Sequence, residues 1–191
     1  LKSVGFFALA GLPYTWKFIW SPLVDRFSFP FLGRRRGWLL VTQSTLLFSI
    51  AGIGCFEPTE NIKFIAIFAI LTAFLSASQD IVIDAYRREI LSDEALGMGS
   101  SVFIYGYRIA MWVSNGLALL VATRVGWRET YFIMAGFMVV GIITTLVAHE
   151  PAVSVEPPKS LKEAVSDPFK EFIRRKGAWL IIAFILLYKM G

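Results

Sequence analysis

Five ionisable side chains stand inside long apolar runs of this 191-residue chain: Lys17, Asp80, Asp84, Arg108 and Lys189. At membrane depth such a charge costs about 2.5–3.5 kcal/mol, so it is either paired or functional. Thr72, Ser76, Asp80 and Asp84 recur every four residues and therefore share one face of a helix, with Gln79 on its border. Ser101, Tyr105, Arg108, Trp112 and Asn115 form a second stripe, polar and aromatic. Counted inward from the basic ends of their segments, Lys17, Asp80 and Arg108 reach comparable depths and would meet in one cavity, with Asp80 and Arg108 the expected pair. Lys189 reaches similar depth from a later segment, and the five charges sum to +1, which suits an anionic, polar solute. Asp80 is the deeper of the two carboxylates, and a basic partner beside it would change its proton affinity. The competing structural reading is a set of ion pairs that fix helix packing, with Asp84 facing Arg87 or Arg88 and the lysines snorkelling to the headgroups.

The elements that must hold these residues are membrane spans. The chain is 56% hydrophobic and 17% charged, with a mean hydropathy of +0.63. A soluble domain carries about 25% charged residues. A span needs about 20 largely apolar residues. Five segments qualify, near Val4–Val24, Trp38–Phe56, Ile62–Ala85, Met98–Val121 and Glu129–Ala148, and a sixth opens at Ala178 and runs to Gly191. Residues 1–148 thus read as one transmembrane bundle, 149–177 as a linker, and 178–191 as the start of a further span. In alternate connections twelve Lys and Arg lie on one side and four on the other, which places the richer side in the cytoplasm. On that orientation, and with a cytoplasmic amino terminus, an outward span is expected before Leu1, making six before the long linker. The linker carries a capping box, Ser160 with Glu163, and Asp167-Pro168 would restart a helix. Leu161, Val165, Phe169, Phe172 and Ile173 give it an apolar side for the membrane surface. Small residues at Gly106, Ala110, Ser114, Ala118 and Ala122 are expected to let another helix approach the fourth span.

Charge and residue inventory exclude several functions. The net charge of +5 sits in short clusters beside apolar runs, so it reports topology and not nucleic-acid binding. One cysteine, Cys55, and one histidine, His149, offer no metal site and no metalloprotease chemistry. Paired-aspartate hydrolysis needs carboxylates on facing helices, whereas Asp80 and Asp84 ride on one. A passive channel or scaffold has no need of buried charges of both signs.

A cytoplasmic motif narrows the class. Asp25-Arg26 ends the first span, and Gly33-Arg34-Arg35-Arg36-Gly37 opens the second. This resembles the loop signature of the major facilitator superfamily, in which an acid and arginines latch helix ends. Here six residues separate Arg26 from Gly33, and Pro22 replaces a small residue. With Trp20-Ser21-Pro22-Leu23, Pro30-Phe31, Ser76-Ala77-Ser78-Gln79-Asp80-Ile81-Val82, Gly106-Tyr107-Arg108 and Gly126-Trp127, nearly the whole chain resembles the AmpG-like muropeptide permeases of that superfamily. The related acetyl-CoA transporters share part of this patterning. The resemblance implies an all-α, polytopic bundle: the N-terminal half of a major-facilitator-type fold without its first span, plus the opening of the seventh. It implies a proton-driven importer of anhydro-muropeptides in the bacterial inner membrane, with the proton gradient as driving force, no cofactor, and the C-terminal half of the same chain as partner. An acetyl-CoA or other anionic-metabolite carrier is the alternative within transport. Lys17, Gln79, Asp80, Asp84, Tyr105, Arg108, Trp112, Asn115 and Lys189 would then serve substrate binding and proton coupling, with Asp80 the expected coupling carboxylate, and Asp25, Arg26, Gly33, Arg34, Arg35 and Arg36 would form the cytoplasmic gate.

Overall fold

The computed structural model describes residues 11–29, 32–152, 166 and 170–190, without the side chains of Leu186, Tyr188, Lys189 and Met190. The opening of the first span, Pro30-Phe31, the linker's capping box and Asp167-Pro168 restart, and the Lys189 side chain lie outside the described residues.

Among the described residues the chain is helical, with one isolated antiparallel bridge between Phe29 and Gly33. Helix α1 (Leu12–Trp16) passes into a 3-10 turn (Lys17–Ile19) and then α2 (Ser21–Arg26). The expected continuous first span is therefore broken at Trp20. Pro22 explains the break, because it has no N–H for the Phe18 carbonyl and its ring would clash there. The Ser21 hydroxyl donates to that carbonyl instead, at 3.2 Å, and the Trp20 N–H turns back to Lys17 O.

Three single helices are long and apolar enough to cross a membrane: α3 (Arg34–Gly54), α4 (Ile62–Ile90) and α7 (Trp127–Val147). Between them α5 (Leu96–Trp112), a π turn (Val113–Leu117) and α6 (Ala118–Val125) form one helical rod. The chain is a multi-pass membrane protein. Helix α3 is its centre, packed against both α4 and α7. Lipid removes the hydrophobic drive between spans, so close approach and interhelical hydrogen bonds must hold them. Ser49 on α3 meets Thr72 on α4 at 2.8 Å, and the Thr145 hydroxyl on α7 donates to Gln43 Oε1 on α3 at 2.9 Å. Gly54 lets the end of α3 touch the start of α7, where an added Cβ would stand 2.9 Å from Tyr131 Cβ. A small cluster of Val24, Leu39 and Val82 ties α2, α3 and α4 together at the other end.

The small-residue stripe of the fourth span packs only in part. Ala118 is buried, and α6 lies on α7, but Gly106, Ala110 and Ser114 face open space. All of residues 101–112 are exposed, which leaves this face of α5 free of neighbours among the described residues.

Gly33 is the position where backbone and packing demands coincide. Its φ of 80° and ψ of −173° belong to a region reserved for glycine, and a Cβ there would stand 2.6 Å from the Glu150 carboxyl carbon. Gly33→Ala is expected to destabilise the full-length protein by about 2 kcal/mol or more, read as a lower unfolding midpoint in detergent. An unchanged midpoint would remove Gly33 from this role.

Candidate functional site

The first four N–H groups of α3 and the last carbonyls of α7 have no intrahelical partners. The two ends supply each other. Glu150, three residues beyond α7, accepts from the Arg35 N–H at 2.8 Å and the Arg36 N–H at 2.9 Å. Arg36 in return donates from Nε to Thr145 O at 3.0 Å and from Nη2 to Leu146 O at 2.7 Å. Charge signs suit both helix dipoles. Tyr86 of α4 joins from the side, its hydroxyl donating to His149 O at 2.9 Å.

Behind this exchange lies a buried charge cluster. Arg34 and Arg35 are 8% and 5% exposed. Arg35 donates to Asp25 at 2.7 Å through Nη1, and its Nε and Nη2 grip the Glu89 carboxylate, Nε at 3.0 Å from Oε2. Arg34 reaches the same carboxylate at 3.1 Å. Helices α2, α3 and α4 are thereby joined through Asp25, two arginines and Glu89. Of the motif residues singled out in the sequence, Asp25, Gly33, Arg34, Arg35 and Arg36 come together. Arg26 does not: it is exposed, with its guanidinium 5.8 Å from the Phe27 ring centroid. Glu89 and Glu150 stand outside the motif and are not among the residues its spacing singles out. Their signals were an acid directly after Arg87-Arg88 and a Glu-Pro at the end of an apolar run.

Nine residues back along α4, about 13 Å deeper, Asp80 faces the first segment. Lys17 Nζ stands 3.9 Å from Asp80 Oδ2, with both side chains part-exposed. Tyr14 donates to Ser76 at 2.7 Å and Trp20 Nε1 to Ser78 at 3.1 Å, so α1 and its 3-10 turn lie along the polar face of α4. The expected Asp80–Arg108 pair is not formed. Lys17 takes that place, because the polar face of α4 meets α1, while Arg108 belongs to the unpacked face of α5. Asp84 accepts from Arg87 at 3.0 Å, and Arg87 lies 4.6 Å from the Phe103 ring centroid. Asp80 and Asp84 open onto a cavity of about 210 Å³ closed by Phe103, Ile104 and Tyr107. Gln79 Oε1 is buried, with no hydrogen-bond partner among the described residues.

Arg108 lines a second hollow, of about 590 Å³, with Tyr105 and Trp112. The π turn forms its far side through Val113, Gly116 and Leu117. Such turns widen the ladder by one residue, here with the Ala118 N–H reaching back to Val113 O. Asn115 is not among its lining residues. Its amide donates to Met111 O at 2.9 Å, beside the Ser114 hydroxyl at 3.3 Å on the same carbonyl. Asn115 thus serves the backbone of the widened turn. Of the side chains expected in one cavity, Asp80 and Asp84 line one hollow and Tyr105, Arg108 and Trp112 line another. Among the described residues no three His, Cys, Asp or Glu gather as a metal site.

Residues 4–190, nearly the whole chain, match the Major Facilitator Superfamily. The chain belongs to that superfamily. A curated relative, the anhydromuropeptide permease of Escherichia coli K12, is 48% identical over all of this chain and 39% of its own length. An uncharacterized protein of Haemophilus influenzae is 44% identical over 94% of this chain and 44% of its own. A Rickettsia conorii protein named as a transporter, AmpG 4, is 31% identical over 97% of this chain and 47% of its own. The chain thus spans less than half the length of these relatives. Proteins of the superfamily are built from two six-span halves around a site near the midplane.

The latch can be tested by unequal costs. Glu89 is 22% exposed and holds two arginines, whereas Asp25 is 41% exposed and holds one. Glu89→Gln is expected to cost about 2–3 kcal/mol of stability in the full-length protein, since bonds to buried charges are lost. Asp25→Asn should cost about 1 kcal/mol or less. Denaturation midpoints in the reverse order would show that Asp25 is the anchor.

Proposed function

We propose that this chain is part of a proton-coupled secondary transporter that imports anhydro-muropeptides across the bacterial inner membrane. The observation that carries the reading is the 48% identity, sustained over the whole chain, to the Escherichia coli anhydromuropeptide permease. The side-chain chemistry supports it. Arg108 has the planar donor fork that holds a carboxylate, and Tyr105 and Trp112 beside it offer ring faces for sugars. Asp80, 3.9 Å from Lys17 and open to a cavity, can exchange its ammonium partner for a proton as the cavity turns from one side to the other. No covalent chemistry is asked of these residues, so the protein acts as a carrier and not as an enzyme. The proton gradient supplies the energy. The substrate contacts are shared with the C-terminal half.

Cells lacking their own permease and supplied with the full-length gene should accumulate labelled anhydro-muropeptide, and a protonophore should abolish accumulation. Asp80→Asn should abolish uphill accumulation while leaving facilitated exchange, and wild-type accumulation by that variant would remove Asp80 from coupling. Arg108→Gln should raise KM about tenfold or more, the value of one charge-assisted hydrogen bond. Absence of uptake by a well-expressed, membrane-inserted protein would overturn the substrate assignment.

A further inference from the structure

At the end of the bundle away from the latch, the α3–α4 connection and the first turn of α7 enclose a hollow of about 750 Å³. None of its lining residues comes from α1, α2 or α5, so it stands apart from the two cavities described above. The close contact of Gly54 with Tyr131 and the Arg128 carbonyl fixes its floor. Three charged side chains line it, Glu57, Arg128 and Glu129, all exposed and none ion-paired among the described residues. Phe56, Trp127 and Tyr131 supply its apolar and aromatic wall, with the Trp127 and Tyr131 rings 6.3 Å apart.

Its position says what can reach it. Helix α3 ends at Gly54, α4 begins at Ile62 and α7 begins at Trp127, so the hollow lies where spans leave the membrane. The basic clusters belong to the opposite end, which puts this end at the outer leaflet. Trp and Tyr at that level are the usual interfacial anchors. Below it, α4 turns Phe64 and Ile67 outward, 52% and 60% exposed, toward the region of acyl chains. An occupant must therefore be amphipathic, with apolar chains running down α4 and a polar head among the three charges. Two carboxylates and one guanidinium give the lining a net charge of −1. They match a head that carries both an ammonium and a phosphate.

We propose that this hollow binds the phosphoethanolamine headgroup of an outer-leaflet phospholipid. Glu57 and Glu129 accept from its ammonium, Arg128 donates to its phosphate, and Trp127 covers the glycerol. A choline head has no N–H to give the carboxylates, and a glycerol head brings only negative charge toward them. The discrimination rests on hydrogen bonding, and it does not depend on which solute the protein carries.

Native mass spectrometry of the full-length protein, titrated separately with phosphatidylethanolamine, phosphatidylcholine and phosphatidylglycerol, tests this. The wild type should retain one phosphatidylethanolamine about tenfold more tightly than either other lipid. The double variant Glu57→Gln/Glu129→Gln should lose that preference while still holding phosphatidylcholine, and Arg128→Gln should weaken all three. Asp93→Asn/Glu94→Gln, at the far end of the bundle, should leave the preference intact. Equal retention of the ethanolamine and choline lipids by the wild type would overturn the proposal, and that comparison needs no substitution. So would a preference that survives the Glu57/Glu129 change, or one that the distant pair abolishes.

Discussion

The packing of this bundle depends on two helix ends that cap each other. Helix α3 starts with three arginines and no acceptor of its own, and its N-cap residue is glycine. Left alone, that end would carry unsatisfied N–H groups and three positive charges at the positive pole of a helix dipole. Glu150, delivered by α7, answers both needs, and Arg36 answers the matching need of the α7 carbonyls. Once these ends are joined, α3 and α7 are fixed in register. The Gln43–Thr145 bond, two residues before the end of α7, and the Gly54–Tyr131 contact at the far end then follow from that register. The same anchoring holds Arg34 and Arg35 where Glu89 and Asp25 can neutralise them.

Much of this was legible in the residues. Spans announced themselves through runs of apolar side chains, because lipid forces the backbone to satisfy itself within each helix. Three of them appear as single helices within a few residues of the expected limits, with α4 extended to Ile90 so that Glu89 lies within it. The latch was half legible. Asp25 and the arginines stand in a recognisable motif, but their counterweights Glu89 and Glu150 come from elsewhere in the chain. Spacing along one helix predicts a shared face. It does not predict which acid on another helix a given arginine will meet.

The pairing at membrane depth shows the same limit. Counting along the segments puts Asp80, Lys17 and Arg108 at comparable depth, yet depth is one coordinate of three. Which partner Asp80 takes is decided by rotation of the helices about their axes, and that is set by Tyr14, Ser76, Trp20 and Ser78. The π turn was likewise invisible, since Val113–Leu117 has no residue that a straight helix would refuse. Its trace is Asn115, which a stripe of polar residues made look like a ligand group and which instead serves the Met111 carbonyl. The break at Trp20 has a plain signal in Pro22, which cannot continue the hydrogen-bond ladder however long the apolar run around it.

That break changes how the first segment moves. Lys17 and Asp25 lie eight residues apart on it, and each is fastened, directly or through Arg35, to α4 at points nine residues apart. A single straight helix clipped at both points would be a splint, so any displacement at one end would be imposed on the other. With the hydrogen-bond ladder interrupted at Trp20, the segment is two short rods with a joint between them. The upper rod can tilt away from Asp80 while the lower keeps its grip on the arginines. A displacement at Lys17 is then not imposed on Asp25, and the two fastenings to α4 can loosen one at a time.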